Sequence, residues 1–176
     1  TCMNQGKNFG KSSKYNNRIL VEYVSANPTG PLHVGHGRGA AYGATLVNLL
    51  RSVGNQVCSE YYVNDAGRQI NILSVSVWLK YLENQKVPIT YPASGYQGRY
   101  IDQIAEILFS RKKKSLVPEI ANDILTDNDS QITPDEIIDK WIIKAQSFLE
   151  DNWEDIKSLS LNFILTDIEA DLQDFG

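Results

Sequence analysis

Ile19-Leu20-Val21-Glu22-Tyr23-Val24 runs directly into Ser25-Ala26-Asn27-Pro28-Thr29-Gly30-Pro31-Leu32-His33-Val34-Gly35-His36-Gly37, and this junction sets the expected fold. The first six residues are β-branched, aromatic and nearly continuous in apolarity, the pattern of a parallel strand covered on both faces. Pro28, Gly30 and Pro31 then interrupt regular structure. From about Gly37 to Val53, apolar residues recur at 40, 44 and 47 and at 46, 50 and 53, which is helical spacing, and Gly54 supplies the C-terminal cap. Gln56–Val63 reads as a second strand. Ala66–Leu82 reads as a second helix with Ile70, Leu73, Val77 and Tyr81 along one stripe. Strand, helix, strand, helix predicts a doubly wound parallel α/β sheet with a right-handed crossover. Such sheets take ligands beyond the carboxyl ends of their strands, here at Ser25–His36 and Asn64–Gly67.

Outward from this core, residues 1–17 are polar and rich in Gly, Ser and Asn, and read as a linker or loop. Beyond Asn84 the pattern breaks at Pro88, Pro92 and Gly95, then resumes over Tyr100–Ser110 with Ile101, Ile104, Ala105 and Leu108. Thr133-Pro134-Asp135-Glu136 has capping-box spacing with proline at the first helical position. It leads into Ile138, Trp141, Ile142, Ala145, Phe148 and Leu149 on one face, which read as core. The expected organisation is a linker over 1–17, an α/β half-domain over 18–83 and a helical region over 84–176.

The chain has 176 residues, 42% hydrophobic and 22% charged, so it carries enough apolar material for a core and is not a disordered tail. No apolar run approaches the roughly 18 residues of a membrane span, and Thr1-Cys2-Met3-Asn4-Gln5 lacks the segments of a signal peptide. A soluble, cytoplasmic protein without membrane contact is the expectation. Cys2 and Cys58 support neither a disulfide framework nor a cysteine zinc site, and Cys58 reads as a small buried hydrophobe. The start without methionine and the end at Gly176 read as an excerpt of a longer protein. Residues 1–118 carry 14 Lys and Arg against 6 Asp and Glu, whereas 119–176 carry 3 against 15. The first part suits phosphate-bearing ligands and the second a solvated acidic helical face. Arg111-Lys112-Lys113-Lys114 fits either a dipole-favoured helix end in solvent or a nucleic-acid contact.

His33 and His36 stand three apart at a helix N-terminus, where backbone N–H groups and the dipole favour an anion. Imidazole N–H donors there would stabilise charge developing on an attacked α-phosphate without covalent chemistry. Gly35 would let a flat ring such as adenine approach the backbone, and Gly37 and Gly39 would let the helix pack close to the sheet. Three other readings compete. A zinc site would need two more ligands that no placed residue supplies, so no protein-bound metal is expected. The histidines could simply cap the helix. Gly35-His36-Gly37-Arg38-Gly39-Ala40 also fits a dinucleotide fingerprint with Glu60 roughly 20 residues on, but it begins too far past the strand.

Ala26-Asn27-Pro28-Thr29-Gly30-Pro31-Leu32-His33-Val34-Gly35-His36 resembles the HIGH signature of class I aminoacyl-tRNA synthetases, in the form found in bacterial arginyl-tRNA synthetases. Val21–Ser25, Gly37–Ala40 and Glu60-Tyr61-Tyr62-Val63-Asn64-Asp65-Ala66-Gly67-Arg68-Gln69 resemble the same family, densely over about residues 18–80. Gly95–Tyr100 and Asp171–Gly176 are similar to it more diffusely. The resemblance implies a Rossmann-like nucleotide-binding fold, incomplete here, with a helical insertion over 84–176.

It also implies ATP-dependent activation of arginine to arginyl-adenylate and transfer to tRNA(Arg), with Mg2+ accompanying ATP as substrate and a monomeric full-length protein. By position, His33 and His36 are the implied catalytic pair and, with Gly35, the ATP-binding residues. Glu22, Ser25 and Asn27 would line the arginine pocket, with Asp65 and Gln69 near it. A carboxylate inside an apolar strand is costly unless paired, so Glu22 would answer either a substrate guanidinium or an internal salt bridge. Asp65 would contact substrate or cap the next helix. The family's second, Lys-Met-Ser-Lys-type signature is absent from these residues, as are its anticodon-binding and N-terminal domains, so the chain alone is expected to be inactive. Another HIGH-bearing synthetase, a nucleotidylyltransferase or a non-catalytic tRNA-binding paralogue are the alternatives.

Overall fold

The computed structural model describes residues 2–12, 15–118 and 133–176. Their contacts form two compact units. The first holds the residues up to Asn27, Leu32–Asn64 and Glu169–Gly176; the second holds Pro28–Pro31 and Asp65–Ile168.

In the first unit, β1 (Arg18–Glu22) and β2 (Gln56–Glu60) pair in parallel, from Arg18 opposite Gln56 to Glu22 opposite Glu60. Helix α2 (Val34–Ser52) connects them, giving the expected βαβ unit. Both strands end short of the sequence boundaries at Val24 and Val63. Burial along β1 alternates, with Arg18, Leu20 and Glu22 exposed, so the strand is covered on one face and not on both. Two strands and one connecting helix cover a single face, and period-two alternation leaves every second side chain in solvent. Cys58 lies on β2 and is exposed, not buried as expected.

Helix α2 buries Ala40 and Val47 as the stripe at 40, 44 and 47 predicts, with Gly43 buried in place of Ala44. A Cβ built on Gly43 would lie 2.2 Å from Cγ of Tyr23, so glycine is what permits this approach of helix to strand end. Gly37 and Gly39, assigned that role from sequence, have no atom within 4 Å of an added Cβ. Gly54, at φ 98°, follows the helix end at Val53 in the left-handed region, as the cap reading requires. Residues expected to be a linker include a helical turn, α1 (Cys2–Gln5), and a 3-10 turn (Gly6–Asn8). Ser12 N–H then donates to the Ser52 carbonyl (2.9 Å), and Gln56 N–H to the Asn17 carbonyl (2.9 Å).

The second unit is helical. α3 (Arg68–Asn84) is buried around most of its circumference from Ile70 to Leu82, where sequence showed one stripe. It is flanked by α4 (Arg99–Lys112) and α5 (Pro134–Leu149), which accounts for burial on more than one side. Ser74 and Ser76 are buried with their hydroxyls donating to the carbonyls of Ile70 and Ile72, which satisfies groups otherwise costly to desolvate. Trp78 meets Trp141 edge-on (centroids 6.4 Å) and Phe148 at a tilt (5.9 Å), while its indole N–H donates to the Leu116 carbonyl at 3.1 Å. The expected α5 face is therefore core at Ile138, Trp141, Ile142, Ala145 and Leu149, whereas Phe148, expected there too, is exposed at its margin with its ring against Trp78. Thr133 and Glu136 form the reciprocal capping box, with Pro134 opening the helix.

The last helix, α6 (Asp151–Phe175), buries Trp153, Ile156, Leu159, Ile164 and Ile168 and exposes Asp151, Glu154, Asp155, Asp167, Glu169, Asp171 and Asp174, the expected solvated acidic face. The acidic residues of 119–132 lie outside the described residues. At the end of α4, Lys112 reaches Asn152 (2.8 Å) and Asp155 (2.6 Å), while Arg111, Lys113 and Lys114 are exposed. Among the described residues no helix is long and apolar enough to cross a membrane.

Candidate active site

The carboxyl end of β1 is where the backbone leaves ordinary geometry. Val24 and Ser25 have φ of 68° and 39°, a region a β-branched residue such as valine avoids. Held strain of this kind costs about 1–3 kcal/mol per residue and clusters at functional loops. Four hydrogen bonds to the continuation of β2 hold it. Tyr23 N–H donates to the Glu60 carbonyl (3.2 Å), Tyr62 N–H to Ser25 Oγ (3.0 Å), Tyr61 Oη to the Ala26 carbonyl (2.7 Å) and Asn64 Nδ2 to Asn27 Oδ1 (3.2 Å). Ser25 and Asn27 thus fasten the loop through their side-chain oxygens. Sequence reasoning missed Tyr61, whose phenol is pushed up in pKa by burial. Its apolar neighbours marked it as strand, and nothing in the pattern announced the hydroxyl's partner.

His33 is the N-cap of α2, in extended conformation, and its Nδ1 accepts from Gly35 N–H at 3.1 Å. His36 answers, its Nδ1 accepting from His33 N–H at 3.2 Å. The two rings stack, with centroids 3.8 Å apart and planes 25° from parallel. Stacking explains Gly35 differently from the sequence reading: an added Cβ would lie 2.9 Å from Cε1 of His33, so Gly35 makes room for the imidazole itself. The capping alternative is therefore correct as far as it goes. It also has a chemical consequence. With both Nδ1 atoms accepting, the network assigns the neutral tautomer with the proton on Nε2 to both rings, so each Nε2–H is a donor on the edge away from the cap.

The backbone donors expected to greet an anion are used internally. Gly35 N–H is taken by His33 Nδ1, and the N–H groups of His36 and Gly37 donate to the His33 carbonyl (2.8 and 3.2 Å). The imidazole Nε2 edges are left as side-chain donors at this helix start, where the helix dipole is positive. His36 is held below the ordinary histidine pKa, first by burial and then by the neighbouring His33, so its neutral donor form persists.

Glu22 departs from its sequence rationale: it is exposed at the end of β1, and among the described residues it forms no ion pair, so neither apolar burial nor an internal salt bridge accounts for it. Its register partner is Glu60, also exposed, which places two carboxylates on neighbouring strands. Like charges directly opposite are unfavourable and attract a cation. From sequence Glu60 entered only the discarded dinucleotide pattern and the stretch that resembles the family, and was given no place in the site.

Asp65 and Gln69 belong to the second unit with Pro28–Pro31, and both are exposed. Asp65 does not cap α3, whose N-cap is Gly67 at φ 92° with no side-chain bond. A cavity of about 200 Å3 in the first unit is lined by Tyr23, Val24, Glu60, Tyr61 and Phe175 among others, and contains none of the side chains named from sequence as site residues. Among the described residues no group of three or more His, Cys, Asp or Glu could hold a metal ion.

Comparison with known proteins adds family information. Residues 1–146 match the family described as tRNA synthetases class I (R), catalytic domain. The chain is 47% identical over 179 aligned residues to an arginine–tRNA ligase of Legionella pneumophila, covering 99% of the chain and 30% of that protein. It is 45% identical to an arginine–tRNA ligase of Coxiella burnetii, covering 100% of the chain and 31% of the relative. A crystal structure of a Campylobacter jejuni protein assigned as an arginyl-tRNA synthetase aligns with TM-score 0.55 and 34% identity, over 87% of this chain and 32% of that one. The chain thus spans about 30% of the length of the curated relatives it matches.

Proposed function

The chain belongs to the family of class I (R) tRNA synthetase catalytic domains, and from that premise we propose that it supplies the phosphate-handling half of an enzyme that joins arginine to tRNA(Arg). The observation that carries the proposal is the histidine cap, in which His33 and His36 are locked with both Nε2–H edges turned from the helix.

In the proposed reaction the arginine carboxylate attacks the α-phosphorus of ATP. An acyl–phosphate bond forms, pyrophosphate leaves, and the terminal ribose hydroxyl of tRNA then attacks the carbonyl and displaces AMP. Charge gathers on phosphate oxygens in the first step, and His33 and His36 donate to those oxygens from positions fixed beforehand, so little reorganisation is needed. Gly35 lies at the adenine side of the pair. Mg2+ enters with ATP as part of the substrate. Glu22, with Glu60 beside it in register, attracts the guanidinium, for which a carboxylate is a bidentate partner. Ser25 and Asn27 shape the pocket wall through the bonds that hold the loop, and by resemblance to the family Asp65, ahead of α3, and Gln69, within it, are further contacts for the amino acid.

Residues 18–83 form the first half of the catalytic domain and 84–176 its helical insertion. The full-length protein acts as a cytoplasmic monomer, and these 176 residues alone do not charge tRNA. The test is charging of bulk tRNA by the full-length protein with ATP and Mg2+, one amino acid at a time. Arginine alone is accepted, and Glu22→Ala raises the KM for arginine. Acceptance of a different amino acid would overturn the arginine pocket, and no charging at all would overturn the reaction.

A further inference from the structure

We propose that Tyr100 is a positioning residue for the loop that carries the histidine pair: its hydroxyl, donating to the Thr29 carbonyl at 3.1 Å, fixes the Thr29–Gly30 turn three residues ahead of His33. This deepens the reading that His33 and His36 handle the phosphates of ATP, and rests on it.

Pro28 and Pro31 bracket this turn and lack backbone N–H groups, so Pro28–Pro31 has few donors of its own. The donor comes from the start of α4. Tyr100 is its second residue, and the turn before it holds Gly98 at φ 135° as N-cap. Two glycines make room for the phenol. A Cβ on Gly30 would lie 3.3 Å from its Oη and 3.5 Å from Cζ, and a Cβ on Gly98 would lie 3.2 Å from Cε1. Burial, with the Tyr96 phenol nearby, pushes the Tyr100 pKa up to about 12, so the hydroxyl stays protonated and donating throughout the working pH range. Tyr100, Thr29 and Gly30 all belong to the second unit, and the chain passes from this turn back to the first unit at Leu32. Only Pro31 and Leu32 separate this turn from His33, so the turn fixes the backbone from which the cap segment starts. Tyr100 touches no reacting atom in this scheme.

The experiment compares wild type, Tyr100→Phe, Gly30→Ala and the double variant in the full-length protein, reading kcat and the KM for ATP in arginine charging, the melting midpoint, and amide exchange over residues 29–35. Misplacing a reacting group by about an ångström costs up to roughly a hundredfold in rate. Tyr100→Phe is therefore expected to lower kcat about tenfold or more while KM for ATP moves less than about twofold, the signature of a loss felt in the transition state. Its melting midpoint stays within about 3 °C of wild type, and exchange rises over 29–35. Gly30→Ala, which presses on the same hydroxyl, costs less in the Tyr100→Phe background than in wild type. Wild-type kcat and exchange in Tyr100→Phe would overturn the proposal, and so would a kcat loss that only tracks a fall in folded protein. A wild-type protein that does not charge arginine would overturn the functional reading instead, and the exchange arm would still decide the Tyr100–Thr29 link.

Discussion

Replacing Gly43 by alanine would drive a methyl group into Tyr23. The added carbon would stand 2.2 Å from Cγ, 2.3 Å from Cδ2 and 2.6 Å from Cβ of that residue, all well inside contact distance. Cβ and Cγ lie next to the backbone, so the side chain cannot simply swing aside, and α2 or the end of β1 must move. Overpacking of this severity costs about 3 kcal/mol, at the upper end of the usual range. Alanine returns about 1 kcal/mol of helix propensity, leaving a net loss of about 2 kcal/mol. At about 2–4 °C per kcal/mol for a domain of this size, the melting midpoint should fall by about 4–8 °C. Thermal unfolding of the full-length Gly43→Ala protein reads this directly, with Gly39→Ala as control. Gly39 has open space around an added Cβ, and its substitution should raise stability by about 0.5–1 kcal/mol. A Gly43→Ala protein as stable as wild type would refute the packing argument.

Removing one imidazole should be felt mainly in rate. His33→Ala and His36→Ala are each expected to lower kcat of charging by about a hundredfold or more, and steady-state kinetics with folded variants checks this. His36 titrates below the ordinary histidine value because of burial and His33. The unfolded chain therefore takes up that proton first. The stability contribution of neutral His36 is full above the ordinary value and is lost as pH falls through it toward the lower folded value. Histidine-selective NMR should show the depressed pKa in the free protein and a rise when ATP is added; an ordinary value in the free protein would contradict the neutral-donor account. Thr133→Ala removes the α5 cap at a cost of about 1 kcal/mol and should lower the melting midpoint with charging kinetics unchanged. The Glu136 carboxyl, held low by its bonds to Thr133, supports that cap above its unfolded pKa and ceases to as pH falls through the folded one.

The alternation Ile19–Val24, helix, Gln56–Val63, helix was legible because period and turn residues are local properties, and the βαβ unit follows from them. The cap over Thr133–Glu136 was legible for the same reason. Burial was less so. β1 has the composition of a strand covered twice, yet Leu20 is 61% exposed, because coverage depends on what else packs against the sheet and not on the strand. α3 shows one clean stripe, but Ser74 and Ser76 are buried as well, since back-bonding to the preceding turn removes the cost that polarity would predict. At the site, the spacing of His33 and His36 disclosed that both side chains meet at one helix start. It did not disclose that the histidines themselves consume the Gly35 and His33 amides, or that Gly35 yields to a ring. Tyr61 and Tyr100 act through single hydroxyls on carbonyls 35 and 71 residues away, and no pattern within one segment encodes such a contact.

The central claim is that the Nε2 edges of His33 and His36 receive the phosphates of ATP. A crystal structure of the full-length protein with ATP and Mg2+ tests it most directly. The account predicts phosphate oxygens within about 3.2 Å of both Nε2 atoms, with both Nδ1 atoms still accepting from the His33 and Gly35 amides. Phosphates bound away from both rings, or imidazoles flipped so that Nδ1 faces the nucleotide, would contradict it.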